Sequence, residues 1–291
     1  MSKTKILVQF DSDAHASVFD AIVAVDAGVE QLLQYSAVAA EQVRDLVHGA
    51  MFTRGPQDLN NTAVFIGGSN VAKGEELLKQ VTSCFFGPMR VSVLVDANGA
   101  NTTAAAAVLA AGKHVNLKGA TAVALAGTGP VGQRAARLLA RQGALVRVAS
   151  RSLAKAREAC DSIMAHVPDS HVEPVQTQGA RDVADALSDA QVVIAAGAAG
   201  VELLPKAIFA DCRALKVAID VNAVPPLGIG GIEVMDKAKE RGGIVCYGAV
   251  GVGGMKMKIH RAAIKKLFTA NDLVLDAEEV FAIGQEIAKE G

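Results

Sequence analysis

A chain of 291 residues, 51% hydrophobic and carrying a net charge of -1, can bury a sizeable core and is long enough for two domains. With Lys plus Arg at 29 against Asp plus Glu at 30, nothing in the charge balance asks for nucleic acid; no apolar run reaches membrane-span length, and the opening MSKTKILVQFDSD meets acids too soon for a secretory leader. Cys84, Cys160, Cys212 and Cys246 form no C-x-x-C pair, which speaks against a disulfide framework or a metal site and for a reduced, cytoplasmic protein.

Residues 6–10 read as a strand ending at Asp11-Ser12-Asp13, and 17–28 as a helix with Phe19, Ile22 and Val23 inward. A helix over 41–50, a strand over 62–66, a helix over 71–83 and a strand over 91–95 follow, an α/β domain in its own right. A polar loop, 96–101, opens an alanine-rich helix that runs to about residue 111. The expected division is an N-terminal α/β domain over 1–105, a second domain over 106–270 and a closing helix in 271–291 that returns to the first or stays apart.

An apolar run with Val123 and Leu125 at its centre then leads into Gly127-Thr128-Gly129-Pro130-Val131-Gly132. This is the G-x-G-x-x-G spacing between a strand and a helix. Gly127 allows the tight turn, Gly129 lets a pyrophosphate approach the backbone, and Gly132 lets the helix pack on the sheet. Pro130 suits the first helical turn, and the helix over 131–142 aims free N–H groups and a positive dipole end at phosphates. After the next strand, 145–149, a NAD enzyme carries an acid for the ribose hydroxyl. Here stand Ser150, Arg151 and Ser152, with Lys155 one turn later. A guanidinium and hydroxyls suit a 2′-phosphate, so the expected cofactor is NADP, with NAD the alternative if Arg151 only begins a solvated helix.

The alternation continues with a helix over 152–166, strands near 172–175 and 191–195, a short helix over 182–187, strands over 215–220 and 244–247, and helices over 255–268 and 277–289. Sequential βα units give an α/β class with a doubly wound parallel sheet. Three loops fall beyond the carboxyl ends of its strands: 196–200 with Ala196 and Gly197, 222–228 with Asn222, and 248–254 with Gly248 and Gly251. Their small residues suit a flat nicotinamide ring, though each alone also reads as ordinary loop punctuation.

GTGPVG with SRS, DANGANTTAAA at 96–106, VNAVPPLGIGGI at 221–232 and GAVGVGGMKMKIHRA at 248–262 together resemble the methylene-tetrahydromethanopterin dehydrogenases of methylotrophic bacteria. QFDSDAHASVFD and FTRGPQDLNNTAVFIGG at 52–68 carry the likeness into the first domain. The resemblance implies oxidation of a methylene carrier, tetrahydromethanopterin or also tetrahydrofolate, to the methenyl carrier in formaldehyde oxidation and one-carbon metabolism. It also implies a pterin bound between the two domains, a homo-oligomer, and no metal. Losing hydride from a carbon between two nitrogens leaves a delocalised cation, so no general base is needed, and alignment and charge stabilisation suffice.

On that reading the pterin edge, with two parallel N–H donors and a carbonyl, would meet Asp96, Asn98, Asn101, Thr102 and Thr103 after the strand at 91–95. The competing reading makes Asp96 a turn residue and Asn101 or Thr102 a helix cap. Asp20 is a second candidate carboxylate. Lys256 and His260, one helical turn apart, are candidates for the carbonyl or anionic tail of the carrier, with Lys256 positioning the carrier and not acting as a base. Two other functions share parts of the pattern: a shikimate-dehydrogenase-like oxidoreductase, which needs a Lys-Asp pair that the sequence does not assign, and a non-enzymatic NADP-sensing module.

Overall fold

A computed structural model of the chain describes residues 3–290. Its elements begin with β1 (Ile6–Asp11), α1 (Val18–Asp26), β2 (Gln31–Tyr35), α2 (Ala40–Met51), β3 (Thr62–Gly67), α3 (Val71–Ser83), β4 (Ser92–Val95) and α4 (Ala100–Gly112). They continue with β5 (Thr121–Leu125), α5 (Pro130–Arg141), β6 (Leu145–Ser150), α6 (Leu153–His166), β7 (His171–Gln176), α7 (Ala180–Leu187), β8 (Val192–Ala195) and α8 (Lys206–Asp211). The last are β9 (Val217–Asp220), β10 (Lys237–Arg241), β11 (Ile244–Tyr247), α9 (Ala249–Lys266), β12 (Val274–Leu275) and α10 (Ala277–Glu290). Among the described residues no helix is long and apolar enough to cross a membrane.

The chain forms two compact units, one holding the described residues up to Thr102 and from Met257 onward, the other Thr103–Lys256. The division falls inside α4 and α9. The return to the first unit therefore begins in α9, earlier than the boundary expected after residue 270.

The first unit has a sheet of order β12-β4-β3-β1-β2, all pairs parallel. Chain order reverses between β1 and β3, the kind of switch point at which open α/β sheets bind ligands. Val8, Phe10, Val64, Ile66, Val93 and Val95 pack against Val43, Val47 and Met51 of α2 and Leu77 and Val81 of α3. Each such side chain contributes about 1.5–3 kcal/mol on full burial, which fixes the strand ends in place. The helix expected over 17–28 is α1, with Val23 inward as expected but Phe19 and Ile22 outward. Val23 and Ala24 are buried while Phe19 is 51% and Ile22 58% exposed. With Val18, Phe19, Ala21, Ile22, Val23, Ala24 and Val25 all apolar, periodicity marks no face, and the small Ala24 allows the closer approach to the sheet.

The second unit has the order β10-β11-β9-β8-β5-β6-β7. From β7 to β11 this is the doubly wound dinucleotide-binding order, reversing between β5 and β8. It is not wholly parallel, since β10 pairs antiparallel with β11 through Gly242 and Gly243, whose φ values of 61° and 84° suit a tight hairpin. Val123, Leu125, Val193 and Ala218 pack in one cluster with Val183, Leu187 and Phe209. The helix expected over 131–142 buries Leu138 and Leu139, as its pattern requires. Burial pushes the Cys160 and Cys246 thiols up to about 11, which makes both unreactive.

Candidate active site

In the second unit, β5 exits through Ala126, held at a left-handed φ of 54°, a conformation that stores strain in a residue with a Cβ. The three glycines that follow have different reasons to be glycine. A Cβ on Gly127 would lie 2.8 Å from the Ala124 carbonyl oxygen and 2.9 Å from Val148. One on Gly132 would lie 2.6 Å from the Ala126 carbonyl oxygen and 2.9 Å from the Gly127 Cα. Both glycines are demanded by the protein's own packing. A Cβ on Gly129 would meet only the Ala126 and Ala196 carbonyl oxygens at 3.4 and 3.7 Å, ordinary contacts. Gly129 is the N-cap of α5 and offers no side-chain cap, so the N–H groups of the first turn face the room that its missing side chain leaves. A pyrophosphate fits that cradle in charge and in space. Thr128 and Val131 flank it, the Thr128 carbonyl accepting from the Gln133 amide at 3.0 Å, and Pro130 opens the helix.

At the end of β6 the Arg151 side chain is exposed and its carbonyl accepts from the Gln176 and Gln178 amides at 3.1 and 3.3 Å. The backbone is pinned while the guanidinium stays available. The Ser150 hydroxyl oxygen accepts from the Ser152 N–H at 3.2 Å, and that of Ser152 from the Lys155 N–H at 3.4 Å. Each hydroxyl keeps its proton to donate. Lys155 is exposed one turn into α6.

The loops beyond β8, β9 and β11 fare differently. The Ala196 N–H donates to Leu125 O at 3.1 Å, tying the loop after β8 to the end of β5, and Gly197 packs under Leu203. Asn222 accepts from the Val224 N–H at 3.0 Å and its amide lies within 3.4–3.5 Å of the Pro226 and Ala198 carbonyls, so it staples its own loop. The residue beneath it, Asp220, was not among the sequence candidates. It is fully buried and accepts from the Asn222 and Ile229 N–H groups at 3.0 and 2.8 Å. Burial raises its pKa against those bonds, and its signal in the sequence is an acid ending a strand just before an Asn.

The segment 248–254, expected as a loop, is instead the start of α9 from Ala249 on. A Cβ on Gly248 would overlap the Glu233 carbonyl oxygen, and one on Gly251 the Asp236 carbonyl oxygen. Close approach of residues 233–236 explains both glycines without a cofactor.

In the first unit, Asp96 ends β4 and is 2% exposed. One oxygen accepts from the Asn101 and Thr102 N–H groups at 2.9 and 3.1 Å, the other from the Thr102 hydroxyl at 2.6 Å. Asp96 therefore caps α4. The Asn101 amide donates to Val95 O at 2.7 Å and to Asp276 at 2.9 Å, joining β4 to the returning chain. Asn98 is exposed and left-handed at φ 55°, its N–H donating to Gly68 O at 2.6 Å, and Thr103 is half-buried on α4.

Asp20, on α1, is partly buried. Burial raises its pKa most, Asp96 and Asp11 push it further up, and His260 and the Ser17 hydroxyl oppose them. His260 is 1% exposed, with ring contacts to Phe65 at 5.6 Å and Phe19 at 6.4 Å. Lys256 is half-buried one turn earlier on α9. Among the described residues no group of three His, Cys, Asp or Glu is placed to hold a metal ion.

Sheet order and glycine turn define a dinucleotide-binding protein of the Rossmann class. Residues 18–98 match the family model described as methylene-tetrahydromethanopterin dehydrogenase, N-terminal, and residues 114–229 one described as putative NAD(P)-binding. The chain is 46% identical over 290 residues to the bifunctional protein MdtA of Methylorubrum extorquens, covering 99% of this chain and 100% of that one. It is 33% identical over 283 residues to the NAD(P)-dependent methylenetetrahydromethanopterin dehydrogenase of the same organism, covering 94% and 95%. Among solved structures, quinate dehydrogenase from Corynebacterium glutamicum in complex with NAD aligns at a TM-score of 0.55 and 16% identity over 97% of this chain and 99% of that one. Shikimate 5-dehydrogenase from Listeria monocytogenes aligns equally well at 0.55 and 16%, over 98% and 96%. At such identity these two show a shared fold and no more. The chain belongs to the methylene-tetrahydromethanopterin dehydrogenase family, and is an oxidoreductase.

Proposed function

We propose that the protein transfers a hydride from a methylene tetrahydropterin carrier, tetrahydromethanopterin or also tetrahydrofolate, to NADP, leaving the methenyl carrier. The observation that carries the nucleotide half is Gly129, whose missing side chain the protein's own packing does not require, at a helix start without a side-chain cap. The family supplies the carrier half.

When bound, the nucleotide supplies the hydride acceptor. The N–H groups at the start of α5 would hold the pyrophosphate, for which Gly129 leaves room, and Arg151 with the Ser150 and Ser152 hydroxyls would read the 2′-phosphate, with Lys155 adding charge. The loops carrying Ala196, Gly197 and Asn222 fix the backbone at the carboxyl ends of β8 and β9, and these residues would hold the nicotinamide end of the nucleotide. The first unit would bind the carrier at the carboxyl edge of its sheet. No residue has to remove a proton, because both nitrogens flanking the methylene carbon share the positive charge left by the hydride. Alignment and a low-dielectric setting do the catalysis. The family likeness further supports a cytoplasmic homo-oligomer, which light scattering on the purified protein tests.

The decisive assay offers each methylene carrier with NADP or NAD and follows reduced nucleotide and methenyl product together. Equimolar appearance of both, faster with NADP, is expected. Reduction driven by shikimate or quinate, or nucleotide binding without turnover on either carrier, would overturn the reading.

A further inference from the structure

Asp220 is a buried carboxylate that no step of the proposed reaction uses. It ends β9, is fully buried, and turns both oxygens to the chain that follows. One oxygen accepts from the Asn222 N–H at 3.0 Å and the other from the Ile229 N–H at 2.8 Å, and the Gly228 N–H also bonds to the carboxylate. Both ends of the loop after β9 are thus tied to one side chain. Gly228 shows how closely: a Cβ there would lie 2.9 Å from the Asp220 Oδ1 and 3.2 Å from the Ala195 Cβ at the end of β8.

The tie reaches a second loop. The Gly228 carbonyl accepts from the Leu203 and Leu204 N–H groups at 2.8 and 3.0 Å, and the Val224 carbonyl from the Gly200 N–H at 3.2 Å. The Asn222 amide lies 3.5 Å from the Ala198 carbonyl oxygen. The loop after β8 is therefore fastened to the loop after β9, and that loop to Asp220. Closing a loop needs no charge, and withdrawing a carboxylate from water is costly. Burial raises the Asp220 pKa, and three backbone N–H groups oppose it. Hydrogen bonds to a charged acceptor are shorter and stronger than neutral ones, so what the arrangement yields is a loop pair held rigidly. It stands at the carboxyl ends of β8 and β9, beside the reversal between β5 and β8 where sheets of this order hold dinucleotides.

Resting on the nucleotide-binding reading of this unit, we infer that Asp220 is the positioning residue for the nicotinamide end of NADP. It acts through the two loops and not by touching the cofactor. Hydride transfer is sensitive to such placement, since an error of about 1 Å costs roughly a hundredfold in rate. The adenosine end belongs to other elements, the start of α5 and residues 150–152, so the two halves of the nucleotide respond differently to a change at Asp220.

The test is calorimetry on the full chain with NADP and with 2′,5′-ADP, which lacks the nicotinamide half, together with single-turnover hydride transfer from the methylene carrier at saturating NADP. In Asp220→Asn an amide NH2 replaces one acceptor and faces backbone N–H groups. This variant should bind 2′,5′-ADP within about twofold of wild type, bind NADP about three- to tenfold more weakly, and transfer hydride about ten- to a hundredfold more slowly. A merely structural role predicts a different result: lower stoichiometry for both ligands, with unchanged affinity and rate at each remaining site. Gly228→Ala, which keeps the acid but drives it from the loop, should show the same split between the two ligands and carries the test if Asp220→Asn does not fold. Wild-type NADP affinity and hydride transfer per site in either folded variant, or equal weakening of NADP and 2′,5′-ADP, overturns the inference. Such a result beside a wild type that binds both ligands and turns over leaves the proposed function standing, whereas a wild type that binds neither NADP nor 2′,5′-ADP refutes that function as well.

Discussion

Gly129→Ala and Gly132→Ala change the same turn by the same methyl group, and the structure expects opposite outcomes. At Gly132 the new Cβ would sit 2.6 Å from the Ala126 carbonyl oxygen and 2.9 Å from the Gly127 Cα. These are backbone atoms with no side chain to swing aside, so β5 and α5 must move apart. Overpacking of this kind costs about 1–3 kcal/mol, and the gain of roughly 1 kcal/mol in helix propensity offsets only part of it. With fixed backbone atoms on both sides the cost falls in the upper part of that range, and a net loss of about 1–2 kcal/mol should lower Tm by about 2–8 °C. At Gly129, φ is -78° and ψ 167°, values open to alanine, and the nearest contacts are ordinary. Its Tm should stay within about 2 °C of wild type, while NADP affinity falls about tenfold or more because the methyl stands where the pyrophosphate approaches. Gly129→Val should abolish binding in a protein that still folds. Scanning calorimetry and NADP titration on the three variants decide the matter. A Gly129→Ala protein that binds NADP like wild type, or a Gly132→Ala protein with unchanged Tm, would refute this account of the turn.

Arg151→Ala should weaken NADP by about 1.5–3 kcal/mol, the value of hydrogen bonds to a charged group, and NAD far less; equal losses in parallel titrations would remove Arg151 from the 2′-phosphate. Asp96→Asn should act first on stability, since one acceptor is traded for a donor facing other donors at about 1–3 kcal/mol, and an unchanged urea midpoint would contradict its role as a cap. Asp20 binds its proton more tightly folded than unfolded, so its favourable contribution is complete below its ordinary value of 3.8 and disappears as pH rises through the higher folded value. Asp20→Asn without ligand should therefore melt above wild type at pH 7, with the gap closing as the pH falls toward 3.8; a lower melting point at pH 7 would oppose the idea of a desolvated carboxylate. Single-turnover hydride transfer should vary little between about pH 6 and 8, because no acid or base acts in it, and a bell-shaped profile would point to a proton transfer.

The nucleotide turn was legible because its chemistry is local: strand, glycine spacing, Pro130 and helix follow one another without interruption from Thr121 to Arg141. Strand β10 was hidden for the opposite reason. Lys237, Lys239, Glu240 and Arg241 give no apolar alternation, since an antiparallel edge strand needs none, and only the Gly242-Gly243 hairpin signal could have revealed it. The glycines at 248–254 looked like a loop because glycine disfavours helices, but the crossing backbone at 233–236 demands Gly248 and Gly251 where α9 begins. Phe19 and Ile22 were assigned to the core because an almost wholly apolar helix has no readable face. That Asp96 spends its oxygens on the start of α4, while His260 acts on Asp20 from far along the chain, is a matter of contacts that spacing alone could not weigh.

Strand β12 completes the first sheet by laying Val274 and Leu275 beside Val93 and Leu94, with Asn271 bonded to the Pro88 and Arg90 carbonyls. On the ribosome this creates an interval of vulnerability. Every strand of the second unit emerges before β12 exists, and at about 5–20 residues per second the wait from Val95 to Val274 is on the order of 10–40 s. Throughout it β4, an apolar Ser-Val-Leu-Val edge, has an open row of backbone donors and acceptors that a neighbouring nascent chain can occupy. Shortening the chain from its C-terminal side past Leu273 would make that interval permanent, so a stretch synthesised after the whole second unit guards the first domain against co-aggregation.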